Sequence, residues 1–131
     1  YQQNEAVLHT DPRLLPRRRS VRAAWNYHLL PRPKPVSTVT YWMNHLQRIE
    51  DPQDFCVTLN RTEAIDPAHV IRTISYAHPV FTPAGVRAQA RAGEISGANR
   101  THFCGAYWGW GFHEDGVLSG LRVAEHFGAR W

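Results

Sequence analysis

Hydrophobic and polar positions alternate along much of the first half of the chain, the two-residue period of strands with unlike faces. The run 5–10 (EAVLHT) reads as a short strand, closed by the turn-prone DPRLLP. Residues 23–30 (AAWNYHLL) alternate so that Trp25, Tyr27 and Leu29 share one face and Asn26 and His28 the other, before PRPKP ends the element. Residues 36–43 (VSTVTYWM) are β-branched and aromatic, a composition that fits a pleated surface. Two further strands are predicted over 55–59 (FCVTL) and 70–76 (VIRTISY), with the polar DPQD and EAIDP between elements. These spacings suit an antiparallel sheet better than strand–helix alternation.

The period lengthens after residue 80. Thr82 followed by Pro83 supplies an N-cap and a first-turn proline, and AGVRAQARA carries the predicted helix to a stop at Gly93. Residues 101–106 (THFCGA) predict a buried strand. Asp115 is placed to cap a last helix over 116–127, ended by Gly128, with Val117, Leu121, Ala124 and Phe127 as its inward stripe. The predicted fold class is α+β, a mainly antiparallel sheet with two helices.

Composition narrows the class. The 131 residues, 43% hydrophobic and 20% charged, describe a globular chain and not a disordered one. No apolar run approaches the roughly 20 residues of a membrane span, and the opening YQQNEAVLHT lacks the basic start and apolar core of a signal peptide. A cytoplasmic setting follows as the expectation, with Cys56 and Cys104 as free, buried thiols. The chain begins without methionine directly on a predicted strand, which reads as a fragment boundary. A net charge of +4 raises the question of nucleic acid, and most of the excess sits at Arg17, Arg18, Arg19 and Arg22 and in PRPKP. No recognition helix, zinc-finger spacing or stacking motif accompanies it, so a solvated loop and no specific nucleic-acid partner are expected.

The densest candidate chemistry lies in FCGAYWGWGFHEDGVLSGLRVAEHFG, residues 103–128. A strand, a glycine-rich loop and a helix N-terminus together form a cradle for an anion or a cofactor, because free N–H groups and the helix dipole favour negative charge. Gly116 and Gly120 fall on one helix face that tolerates close approach. A helix-packing surface with an aromatic turn fits the same residues equally well. Eight histidines invite a metal site, but no H-x-x-x-H pair exists, and the adjacent Glu114 and Asp115 beside His113 are poorly spaced to converge on one ion. Cys104 in an apolar strand is expected to be inert, and no G-x-S-x-G elbow is present.

The run FCGAYWGWGFHEDGVLSGLRVAEHFG resembles the closing segment of the flavin-containing amine oxidase superfamily. With NEAVLHTD, LLPRRR, AAWNYHL, VTYWMN, VTLNR and YAHPVF, nearly the whole chain is similar to a bacterial branch of NAD/FAD-binding oxidoreductases. The resemblance implies the C-terminal portion of an FAD-dependent enzyme that passes hydride from a substrate C–H bond to the flavin. Its partner would be an N-terminal Rossmann portion, whose G-x-G-x-x-G this chain lacks. Residues 1–100 would be part of a substrate domain, a sheet plus one helix. Residues 101–131 would be a strand–loop–helix completing the FAD site, with the C-terminal helix belonging to the FAD-binding domain.

By the same resemblance, Cys104, Gly105 and Ala106 would lie beside the ribityl and phosphate groups. Glu114, Asp115, Gly116 and Val117 would open the helix whose amides face the flavin C2 carbonyl. Trp108, Trp110 and Phe112 would form the aromatic wall of the substrate pocket, for a small hydrophobic substrate. Ala106 stands where the superfamily often has an acidic residue. The one lysine, Lys34, sits between two prolines and does not match the sheet lysine of many amine oxidases, so amine oxidation and desaturation both stay open. His113 is the candidate acid or base. A sheet that packs on an absent portion would also favour self-association. The competing class is a stand-alone basic and aromatic binding module without enzymatic activity.

Overall fold

Alternation in the first half produces strands as expected. The computed structural model describes residues 1–130. It contains β1 (Gln2–His9), β2 (Trp25–Tyr27), β3 (Val39–Trp42), β4 (Cys56–Leu59) and β5 (Val70–His78) in one antiparallel sheet of order β2-β3-β4-β1-β5. The α-helices are α1 (Met43–Gln47), α2 (Pro83–Gln89), α3 (Ala92–Ile95) and α4 (His113–His126). The fold is α+β, with four helices where the pattern predicted two. Two compact units divide at His78: the sheet, Gln2–His78, and the segment from Pro79 onward together with Tyr1. The predicted division at residue 100 lies within the second unit.

Register sorts the sheet into unlike faces. Tyr27, Val39, Leu59, Ala6 and Ile74 line up across the five strands, and two residues along lie Trp25, Tyr41, Val57 and Leu8. The row between them, which points to the other face, is Asn26, Thr40, Thr58, Val7 and Thr73. The threonine-bearing face is the one that the chain covers. Leu14, from the 3-10 turn Pro12–Leu14, and Ile65 pack on Val7 to form the apolar cluster, flanked by Ala64 and Val70. On the opposite face Trp25 and Tyr27 remain 60% and 63% exposed. The alternation at 23–30 is therefore real, but its aromatic side is the open one.

Buried polar groups on the covered face are paired. His9 accepts the Asp11 N–H at Nδ1 (3.1 Å), which leaves its proton on Nε2, donated to Thr58 Oγ1 at 2.7 Å. Thr58 then donates to Thr40 Oγ1, and Thr40 to His28 Nε2, each at 2.7 Å. Burial pushes the pKa of both His9 and His28 below the usual imidazole value. Asp11 closes the adjoining turn. Its carboxylate accepts from Arg13 N, Nε and Nη2 and from Asp66 N, and the Arg13 hydrogen bonds hold its pKa far below the carboxylate range.

Two charge and thiol expectations separate here. Cys56 is buried, and desolvation pushes its thiol up to about 12, an inert group. Arg17 and Arg18 are solvated, but Arg22 is not: it donates to Pro16 O (2.9 Å) and Asp54 Oδ2 (2.8 Å) and lies over the Trp42 ring. The basic run is thus partly structural.

In the second unit, Thr82 caps α2 by accepting the Gly85 N–H at 3.0 Å, with Pro83 in the first turn, as predicted. The helix stops at Gln89, and Gly93 lies within the separate short α3. Residues 101–104 form no ladder. The predicted strand over 101–106 is absent because Phe103 N–H goes to Ser96 Oγ and Gly105 N–H to Ser119 Oγ, after which Ala106–Trp108 coils into a 3-10 turn. The predicted inward stripe of α4 holds only in part: Leu121 and Ala124 are half-buried, but Val117 and Phe127 are exposed, and the helix's one buried residue is Ser119.

The threonine chain generates two expectations. Thr58→Val keeps the shape but leaves the His9 Nε2–H without an acceptor, and should cost about 1–3 kcal/mol in urea unfolding. A loss near zero would mean that water or a rotated side chain replaces the hydroxyl. For pH, folded histidines with lowered pKa bind fewer protons than unfolded ones, so their contribution is complete above about pH 6.5 and is lost as pH falls below it. Urea midpoints at pH 7.5 and 5.5 should differ in that direction, and equal midpoints would contradict the assignment.

Candidate functional site

The glycine-rich loop between the 3-10 turn and α4 is held from within. The expectation that Asp115 caps α4 from outside is not met. Asp115 is the third helical residue after the N-cap Phe112, and its Oδ2 accepts the N–H groups of Trp110 (3.0 Å) and Phe112 (2.9 Å). That is one half of a capping box, the carboxylate reaching back to the N-cap amide. Gln89 of α2 donates from Nε2 to the carbonyls of Tyr107 (3.0 Å) and Gly109 (2.6 Å). Ala106 O accepts from both Gly109 N (3.0 Å) and Gly111 N (3.1 Å).

Two glycines are required by this geometry. A Cβ on Gly109 would overlap the Asp115 carboxylate, and Gly111 has φ +90°, a conformation that side chains disfavour. Gly116 is different. A Cβ there would lie 3.8 Å from Ala106 Cβ and 3.9 Å from Ala106 N, so the space beside the first turn of α4 belongs to the 3-10 turn. Gly120 has open space beside it.

What this arrangement offers chemically is backbone donors. Neither helical start carries a side-chain cap, so the first N–H groups of the 3-10 turn at Ala106 and Tyr107 have no side-chain acceptor. The same is true of His113 and Glu114 at the start of α4. The two starts abut at Ala106 and Gly116. Trp110 and Phe112, 62% and 64% exposed, flank them, while Trp108 is half-buried and donates Nε1–H to Phe103 O at 3.2 Å. The set presents unspent amides and a helix dipole to a group with acceptor oxygens, while the Asp115 carboxylate is already turned onto the loop.

The predicted site residues therefore divide. Gly105, Ala106, Glu114, Asp115 and Gly116 come together around the two helical starts, with His113 as the exposed first residue of α4. Cys104 is exposed, not buried, and only its carbonyl is engaged, by Tyr107 OH at 3.1 Å. Val117 faces outward. Lys34 is committed elsewhere, donating to Glu63 Oε1 (2.6 Å) and Asn60 O (2.9 Å). Sequence reading missed Gln89, Tyr107 and Ser119. Ser119 was detectable, since Gly116, Ser119, Gly120 and Val123 form a small-residue stripe at helical spacing.

The sheet unit contributes a second surface, its open face of Trp25, Tyr27, Tyr41, Val57, Leu59 and Tyr76. Trp25 and Tyr41 meet edge to face at 5.7 Å. Among the described residues no helix is long and apolar enough to cross a membrane, and no group of three or more ligating side chains could hold a metal ion.

Asp115→Ala should release the Trp110 and Phe112 amides, speeding their hydrogen exchange and costing about 1 kcal/mol of stability. Gly109→Ala should do the same by displacing the carboxylate. Unchanged exchange at both amides in both variants would show that the loop does not depend on this staple.

In comparison with known proteins, no family model and no curated protein matches the chain.

Proposed function

We propose that this chain is the C-terminal portion of an FAD-dependent oxidoreductase of the amine oxidase type, acting on a small hydrophobic substrate. One observation carries the reading: two uncapped helical starts abut at Ala106 and Gly116, with their first amides unspent and exposed aromatic rings beside them. When bound, FAD supplies the two-electron acceptor that takes hydride from a substrate C–H bond. The chain's own residues bind and orient. Ala106 and Tyr107 N–H offer donors to the ribityl and phosphate oxygens, next to Cys104 and Gly105. The amides of His113 and Glu114 at the positive end of α4 would hold the flavin C2 carbonyl, with Asp115, Gly116 and Val117 completing the turn.

Trp108, Trp110 and Phe112 exclude water from the reacting side. His113 is the candidate proton carrier. With Lys34 held by Glu63, the reading covers oxidation or desaturation without favouring an amine. The ADP half of the cofactor requires a Rossmann portion outside this chain, and the setting proposed is cytoplasmic.

Gly116 tests the reading. In the full-length protein, Gly116→Ala should keep its flavin, because the new Cβ makes only ordinary contact with Ala106. Gly116→Val should push the Ala106 amide aside and lose flavin, along with the gain in thermal stability on adding FAD. Helix propensity alone predicts both variants slightly more stable, by a few tenths to about 1 kcal/mol. Full flavin occupancy and an unchanged spectrum in the valine variant would sink the assignment. Residues 1–131 alone should emerge colourless from gel filtration with FAD. Stoichiometric flavin carried through the column would overturn the dependence on a second portion.

A further inference from the structure

The second unit carries a partly open cavity of about 260 Å³, of whose lining the flavin reading uses only Trp108. One wall is a face of α4, where Ser119, Arg122, Val123 and His126 recur at helical spacing. Ala92, Gly93 and Ser96 line it from the region of α3, and His102, Phe103 and Trp108 from the irregular segment before the glycine loop.

Several of its polar groups can donate. Ser119 Oγ accepts the Gly105 N–H (2.9 Å) and Ser96 Oγ the Phe103 N–H (3.3 Å), so each hydroxyl keeps its own proton for another acceptor. His102 and His126 lie ring to ring, with centroids 4.6 Å apart. Arg122 joins them, and among the described residues it makes no ion pair and no carboxylate lines the cavity. A guanidinium without a counter-charge, with two imidazoles and two hydroxyls beside it as hydrogen-bond donors, favours an anion. The planar fork of arginine matches a carboxylate through two parallel hydrogen bonds. Phe103, Trp108, Val123 and Ala92 give the rest of the lining an apolar and aromatic character. The volume lies just under the usual range for ligand sites of about 300–1,000 Å³, so the ligand is small.

We propose that this cavity binds a small organic carboxylate, its carboxylate on Arg122 with His102 and His126, and its apolar body against Trp108 and Phe103. The proposal stands independently of the flavin reading, since no flavin is needed for the test. Benzoate, acetate and inorganic phosphate are titrated separately into the chain while the imidazole ring signals are followed by NMR. Benzoate should shift His102 and His126 saturably, leave the sheet histidines His9 and His28 unmoved, and bind more tightly than acetate or phosphate.

Arg122→Gln, a change at an exposed position, should preserve the fold and weaken benzoate about tenfold or more. Ser119→Ala should weaken it as well, though it also leaves Gly105 N–H without its acceptor. Three results would each overturn the proposal: no saturable shift at His102 and His126, equal affinity in Arg122→Gln, or phosphate and acetate binding as tightly as benzoate.

Discussion

The hydrogen-bonded chain from His9 through Thr58 and Thr40 to His28 decides which way the sheet faces. It runs across the strands on the covered side, and His9, Thr58 and Thr40, all fully buried, must find their partners there because water is excluded. Once those hydroxyls and imidazoles occupy the inner rows, strict alternation sends Tyr27, Val39 and Leu59, then Trp25, Tyr41 and Val57, to the opposite side. The apolar cluster under the sheet is correspondingly small, built on Val7, Leu14 and Ile65. Asp11 compensates by tying the turn 11–14 to Asp66, so that polar closure stands in for apolar bulk.

The loop before α4 follows the same logic with different groups. Its carbonyls are taken by Gln89, two of its amides by Asp115, and its entry by Ser119. A glycine-rich segment is usually floppy. Here three side chains fix it, and the glycines serve to let those side chains in, as the Asp115 carboxylate at Gly109 shows. That inverts the simplest reading of a glycine cluster, in which the missing side chains leave room only for a ligand. The donors that remain for a ligand are those at the helical starts.

Much of the fold was legible because it is local. Period-two patterning found all five strands, and Thr82-Pro83 marked the start of α2 through cap chemistry that needs no tertiary context. What failed depended on distant partners. Residues 101–104 have strand-forming composition, but their amides are claimed by Ser96 and Ser119, and nothing in the run itself announces that. The α4 stripe was partly misread because hydrophobicity was taken to mark the inner face. The side that packs against the 3-10 turn is instead made of small residues, Gly116 and Ser119, that allow close approach. Asp115 was recognised as a capping residue but placed at the wrong end of its own hydrogen bond.

Each unit, taken by itself, turns polar groups inward and leaves aromatic rings in solvent: Trp25 and Tyr27 in one, Trp110 and Phe112 in the other. Scattered exposed aromatics need no explanation, but rings gathered on one face beside ordered backbone do. Chains that expose such surfaces complete them with a substrate, a cofactor or another segment. The loop adds backbone amides at its helical starts that a ligand could accept from, since Gln89 and Asp115 hold two of its carbonyls and two of its amides. An extended planar group with carbonyl and phosphate oxygens meets both requirements at once, and a purely apolar partner meets only the first.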